Sequence, residues 1–171
     1  MTHSEIVIRA CRPEDAAAVV AILGQRSSAA MTLQIPYSTE AEWQSRIVSD
    51  ATNRILVAEI DGRVVGQTGL HLSTRRRAHV GGLGMAVLEE YRGRGVGAAL
   101  LGAVIDLADN WYNLLRLELQ VYTDNSPAVR LYERNGFVIE GTHRAFAFRL
   151  GEFVDVYTMA RLRRPPQLNI D

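Results

Sequence analysis

The sequence holds one cysteine, Cys11, so it can build neither an internal disulfide nor a cysteine-rich zinc cluster. With no signal-peptide pattern at its start, that scarcity points to a reducing cytoplasm. Charge of neither sign is in excess: nineteen Lys plus Arg balance nineteen Asp plus Glu, and no long-range field draws the chain onto nucleic acid or an anionic membrane. The longest nearly apolar run, 98–105, is far too short to span a bilayer. His71 and His79 stand too far apart for a metal pair, and no carboxylate spacing completes a site, so no metal is expected. What is present, 47% apolar and 22% charged residues over 171 positions, suits one soluble globular domain with a sizeable core. We place that domain at 1–163, followed by a flexible tail over 164–171 that carries Pro165-Pro166.

The order of elements is legible from periodicity. Residues 5–9 read as a strand, and Pro13 then opens a helix over the alanine-rich run 16–23. A loop over 31–38 follows, after which Thr39 caps a helix carrying Trp43 and Ile47. Runs 55–60 and 63–72 form a hairpin on Asp61-Gly62, a dipeptide suited to a two-residue type I′ turn. The glycine-rich run 79–87 reads as a central strand closely approached by something else. From Gly95 to Trp111 apolar residues recur at helical spacing, and 115–122 alternates with period two. Ser126 as cap, Pro127 and Gly136 bracket a short helix, and two strands over 137–148 and 152–162 close the chain.

The sharpest local signal is the turn Arg92-Gly93-Arg94-Gly95-Val96-Gly97-Ala98 between a strand and a helix. Glycines there let the backbone approach a ligand, and the first amides of the helix point outward unpaired, so the turn suits a phosphate or pyrophosphate. A Walker loop is excluded, because no Gly-Lys-Ser/Thr triplet exists. Gly93, Gly95 and Ala98 satisfy the dinucleotide fingerprint literally, with Glu118 as a ribose contact, yet only one strand–helix–strand unit is available for a doubly wound sheet.

With Met85-Ala86-Val87 before that turn, Asn125-Ser126-Pro127-Ala128, Leu131-Tyr132 and Asn135-Gly136-Phe137 after it, nearly the whole chain resembles the GNAT superfamily of acyl-CoA-dependent N-acetyltransferases. Within it, Thr32-Leu33-Gln34, Asp109-Asn110-Trp111 and the closing 151–155 look most like the bacterial YhhY-like and phosphinothricin acetyltransferase-like branch. The resemblance implies a single α/β (α+β) domain: a mixed, mostly antiparallel sheet of about seven strands, splayed at its centre and flanked by about four helices. It implies acetyl-CoA as co-substrate, with Met85, Ala86 and Val87 on the pantetheine arm, Arg92 to Ala98 around the pyrophosphate, Asn125 near the arm and Tyr132 at the thioester sulfur.

A phenol suits that last place independently, because amine attack on a thioester expels a thiolate and a donor at the sulfur meets the developing charge. The base is less plain. Places where relatives carry a glutamate hold Gly82 and Gln120 here, leaving Glu118 and His79 as substitutes or a water chain. The expected acceptor is a small amino-acid-like amine, contacted by Leu33, Gln34, Tyr37 and Arg75, with Arg144 or Arg149 as further carboxylate partners and Phe146 and Phe148 beside its side chain. A homodimer is compatible with this reading. A protein N-terminal or lysine acetyltransferase, a non-catalytic acyl-CoA binder and a nicotinamide enzyme remain as alternatives.

Overall fold

The computed structural model describes residues 5–47 and 51–164. Seven strands form one sheet: β1 (Val7–Ala10), β2 (Asn53–Ile60), β3 (Arg63–Leu72), β4 (Val80–Val87), β5 (Arg116–Tyr122), β6 (Val138–Arg149) and β7 (Glu152–Leu162). Their spatial order is β1-β2-β3-β4-β5-β7-β6. Only β4 and β5 pair in parallel, and the remaining neighbours are antiparallel. Five helices accompany the sheet: α1 (Ala16–Gly24), α2 (Arg26–Ala29), α3 (Glu40–Ile47), α4 (Val96–Asp106) and α5 (Ser126–Arg134). The sequence reading of about four helices lacked α2, a single turn made after the chain kinks at Gln25, whose extended backbone (ψ 131°) ends α1.

The hairpin between β2 and β3 forms as expected: Asp61 and Gly62 both take positive φ, 50° and 77°, which is the type I′ requirement. β3 has seven consecutive buried residues from Val64 to Leu70, so it must be covered on both faces; α1 and α4 both pack on it. The α4 crossover joins β4 to β5 and makes their parallel pairing possible. Its helical run continues to Trp111 in a widened last turn, where the Tyr112 amide donates to the Leu107 carbonyl five residues back at 2.9 Å. Thr39 caps α3 reciprocally, its amide donating to the Glu42 carboxylate at 2.7 Å while the Glu42 amide donates to the Thr39 hydroxyl at 3.3 Å.

One sequence expectation needs correction. The residue capping α5 is Asn125, whose side-chain oxygen accepts from the Ala128 amide at 3.4 Å; Ser126 stands one place inside, with Pro127 in the first turn. Arg163, placed at the domain's end, is anchored, its amide donating to the Leu115 carbonyl at 2.9 Å and its guanidinium to Leu114. The flexible tail expected over 164–171 lies, beyond Arg164, outside the described residues. Among these, no helix is long and apolar enough to cross a membrane.

Candidate active site

The sheet opens between β4 and β5. Pairing is confined to Val80, Gly81 and Gly82 opposite Arg116, Leu117 and Glu118, and beyond that the two strands part. On its other edge β4 stays bonded to β3 through Val87, and the Leu88 amide donates to the Val65 carbonyl at 2.9 Å. Backbone groups alternate sides along a strand, so that bond turns the amides and carbonyls of Leu83, Met85 and Val87 toward the gap. The Val87 carbonyl there accepts from Arg92 Nε at 3.2 Å, leaving the Val87 amide and both Met85 groups to face the opening.

The glycine turn stands at the mouth of that opening. Gly93 and Gly95 take φ of 72° and 87°, conformations that an L side chain adopts only with strain. The Ala99 amide donates to Gly95, so Val96, Gly97 and Ala98 keep amides with no helical acceptor. At Gly97 the helix packs closely without needing glycine: a Cβ there would meet Leu131 Cδ2 at 3.4 Å and Met85 Sδ at 3.9 Å, ordinary contact distances. Those contacts place α5 against the start of α4 and the free part of β4. The two motif arginines divide their work. Arg92 reaches from Val87 to the Ser28 hydroxyl at 3.0 Å, whereas Arg94 lies 4.7 Å over the Tyr91 ring.

Tyr132, beside Leu131, is 6% exposed and packs its ring 5.7 Å from Phe137. Its hydroxyl has no hydrogen-bond partner among the described residues, and burial pushes its pKa up to about 12, so the phenol stays protonated at any ordinary pH. Asn125 is committed through its oxygen to the α5 cap, which leaves its amide nitrogen as a donor.

The two candidate bases fare differently. Burial pushes the Glu118 carboxyl up, but Arg116 at 2.9 Å and Arg77 at 2.5 Å outweigh it and hold it below the usual carboxylate range. A carboxylate so engaged is a weak proton acceptor. His79 is exposed at the paired end of β4, where its carbonyl accepts from the Leu115 and Arg116 amides. At 3.3 Å per residue it stands roughly 20 Å along the strand from Met85. Gly82 and Gly84 present a bare strip instead, since a Cβ on either would meet nothing within 4 Å.

On the expected acceptor side, Leu33 lines a cavity of about 40 Å³ with Met31, Thr32, Gln120, Tyr122, Phe146 and Val156. Tyr37 does not belong to it: it is 97% exposed. Gln34 is half-buried and donates its amide to the Thr32 hydroxyl at 3.2 Å, outside the cavity lining. Phe148 points away and is exposed against Phe153. Arg75 sits with positive φ on the exposed β3–β4 turn, and it is Arg77, two residues on, that reaches the sheet face through Glu118. Trp43 is core, packed with α1 and β2. Arg149 is spoken for by Asp124 and the Ala30 carbonyl. The sequence offers Arg75, Arg76 and Arg77 alike for a carboxylate, and nothing in local pattern tells which of them reaches the sheet face or that Tyr122 meets a loop ninety residues away.

A parallel strand pair that parts beside a glycine turn, with a protonated phenol buried in the same cluster as Leu83 of the parting strand, suits an acyl-CoA-dependent acyltransferase. The model of the acetyltransferase (GNAT) family matches residues 23–137, and the chain belongs to that family. It is 42% identical over 161 residues to the L-amino acid N-acetyltransferase AaaT of Escherichia coli, spanning 94% of this chain and 99% of that one. Among solved structures it resembles a GNAT-family acetyltransferase from Streptococcus pneumoniae, at 32% identity and a TM-score of 0.81 over 92% of this chain and 99% of that one. The same fold recurs in yncA of Salmonella typhimurium, solved with its cofactor acetyl-CoA, at 19% identity and a TM-score of 0.83 over 96% and 99% of the two chains.

Proposed function

We propose that this N-acetyltransferase moves the acetyl group of acetyl-CoA to the α-amine of a small, neutral amino acid by direct attack in a ternary complex. The observation that carries the donor half is the unpaired length of β4, whose Met85 and Val87 groups face a gap closed at one end by the Gly82–Glu118 pair and open at the other to the glycine turn. An extended amide-bearing arm can add to such an edge as a strand does, and a pyrophosphate fits the free amides of Val96, Gly97 and Ala98. The fold neighbour holding acetyl-CoA and the relative named for L-amino acids support the two halves of this reading.

The acceptor lies over the bare strip of Gly82 and Gly84. Arg77 is 59% exposed along its side chain and gives one nitrogen to Glu118, so its remaining donors can take the acceptor carboxylate as a fork. Glu118 fixes that guanidinium rather than acting as base. The ammonium loses one proton to water at this open face before attack. The nitrogen then bonds the thioester carbon, the carbon–sulfur bond breaks, and the nitrogen releases its second proton to water. The Val87 amide stabilises the oxyanion, and Tyr132 donates a hydrogen bond to the leaving sulfur, which takes its proton from solvent.

The test has two parts. Acetyl-CoA at about a hundred times its Kd should stabilise the fold by roughly 2.7 kcal/mol, seen as a rise in Tm, and NADH should not. A thiol-release screen should then give higher kcat/KM for neutral amino acids than for spermidine or a lysine-rich peptide, and methyl esters should react less well than the acids. Stabilisation by NADH alone would overturn the donor, and preference for the polyamine, the peptide or the esters would overturn the acceptor.

A further inference from the structure

Arg149, near the end of β6, makes contacts from three other segments converge. Its Nη1 donates to the Ala30 carbonyl at 3.0 Å and to Asp124 at 3.3 Å, its Nη2 pairs with the other Asp124 oxygen, and its guanidinium lies 4.7 Å over the Tyr122 ring. Tyr122 is 5% exposed, and its hydroxyl donates to the Thr32 carbonyl at 3.2 Å. Arg149 and Tyr122 thus fasten both ends of a three-residue stretch, Ala30 to Thr32, onto the last residues of β5. Within the stretch the Thr32 hydroxyl donates to the Ser28 carbonyl at 3.0 Å, and Ser28, 1% exposed, accepts from Arg92 of the glycine turn.

The fastened stretch roofs the cavity. Met31, Thr32 and Leu33 line it from the loop and Gln120, Tyr122, Phe146 and Val156 from the strands, and the cavity, partly open to solvent, has a volume of about 40 Å³. The roof is a loop with Met31 and Leu33 40% and 61% exposed, held down by Arg149 at Ala30 and Met31 and by Tyr122 at Thr32.

We propose that Arg149 and Tyr122 act as a latch that sets the height of this roof and so the size of the acceptor side chain the enzyme admits. The proposal rests on the acceptor reading above, and it makes both residues positioning residues that touch neither acetyl-CoA nor the reacting atoms. Releasing the latch should enlarge the pocket while leaving the donor cleft as it is.

The experiment measures kcat/KM for alanine, valine, leucine and phenylalanine, together with acetyl-CoA Kd, in the wild type and three variants. Tyr122→Phe keeps the ring beneath Arg149 and removes the bond to Thr32; Arg149→Gln removes the ion pair and its hold on Ala30. Leu33→Ala opens the roof directly at an exposed position that the fold does not need. In all three the ratio of kcat/KM for phenylalanine over alanine should rise at least tenfold, with acetyl-CoA Kd within twofold of wild type. A rise confined to Leu33→Ala refutes the latch and keeps the pocket. An unchanged ratio throughout, or a uniform fall for every amino acid, refutes both. A wild type that acetylates none of the four overturns the acceptor reading itself and this proposal with it.

Discussion

Replacing Tyr132 by Phe isolates a single hydroxyl. The ring is buried against Phe137, and the hydroxyl has no partner among the described residues, so the variant loses no intramolecular hydrogen bond and should keep its stability within about 0.5 kcal/mol. Its chemical cost is larger. With a pKa raised to about 12, the phenol is some three units less acidic than an ordinary thiol near 8.5, and full proton transfer to the thiolate would run uphill by about 4 to 5 kcal/mol. In the proposed reaction Tyr132 acts as a hydrogen-bond donor to charge developing on sulfur, and removing one such preorganised donor should cost about 3 to 4 kcal/mol, or a 100- to 1,000-fold fall in kcat. The burial shift also fixes the pH behaviour: the donor form is lost only as pH approaches 12, so Tyr132 contributes no basic limb to the wild-type profile between pH 6 and about 10. Steady-state thiol release with saturating acceptor, beside calorimetric acetyl-CoA Kd and a melting curve, checks each part. A variant with kcat within threefold of wild type would refute the donor role and leave Tyr132 a packing residue.

Gly81→Ala should destabilise by about 1 to 3 kcal/mol, because its Cβ would come within 2.7 Å of Leu114 and 2.9 Å of Leu70, whereas Gly82→Ala meets open space and should leave the Tm alone while raising the acceptor KM; equal melting curves for the two would contradict the packing described. Asp15, 7% exposed, is held below its usual pKa by two bonds from Arg9 at 2.7 and 3.0 Å and by the Arg12 amide, so its contribution is complete above about pH 4 and is lost as pH falls through the depressed folded value. Asp15→Asn should accordingly cost about 2 to 3 kcal/mol in urea unfolding at pH 7 and progressively less below pH 4, and a pH-independent cost would show that the charge is not what matters. Burial pushes the Cys11 thiol to about 11, so it cannot form an acyl-enzyme, and the sequence contains no lysine; intact mass after acetyl-CoA treatment without acceptor should show no thiol adduct, and initial-rate plots should intersect rather than run parallel.

The parts of the proposed donor half were legible because they are local. Positive φ at Gly93 and Gly95, the free amides of Val96 to Ala98 and the helix they open are consequences of seven consecutive residues, and the type I′ turn at Asp61-Gly62 is a consequence of two. The acceptor half is assembled across the chain. Thr32 meets Tyr122, and Ala30 meets Arg149, over separations of 90 and 119 residues, and no periodicity encodes such a meeting. The same reason explains the choice of Arg75 over Arg77: three arginines in one turn look alike until β5 brings Glu118 beside one of them. The misplaced cap at α5 is a smaller case, decided by backbone geometry, since Asn125 has the non-helical φ and ψ of a cap and Ser126 is already helical.

The division of charged groups follows from where the sheet parts. At the closed end, alternating charges run from Arg77 through Glu118 and Arg116 to Glu140 across the uncovered face, and each ionised partner there is used to hold a neighbour. At the open end the gap is edged by backbone amides and glycines, none of which titrates near neutral pH, and the Tyr132 phenol buried beyond it stays protonated there. Burying a free carboxylate beside a thioester would cost several kcal/mol of desolvation unless it were paired, and a paired one makes a weak base. In the proposed reaction, with Gly82 and Gln120 facing the acceptor, the amine proton leaves through water, so the rate should rise with pH as the acceptor's own ammonium deprotonates. For α-amines with different pKa values the acidic limb of kcat/KM should therefore move with the acceptor, and a limb fixed at one pH for all of them would reveal a protein base.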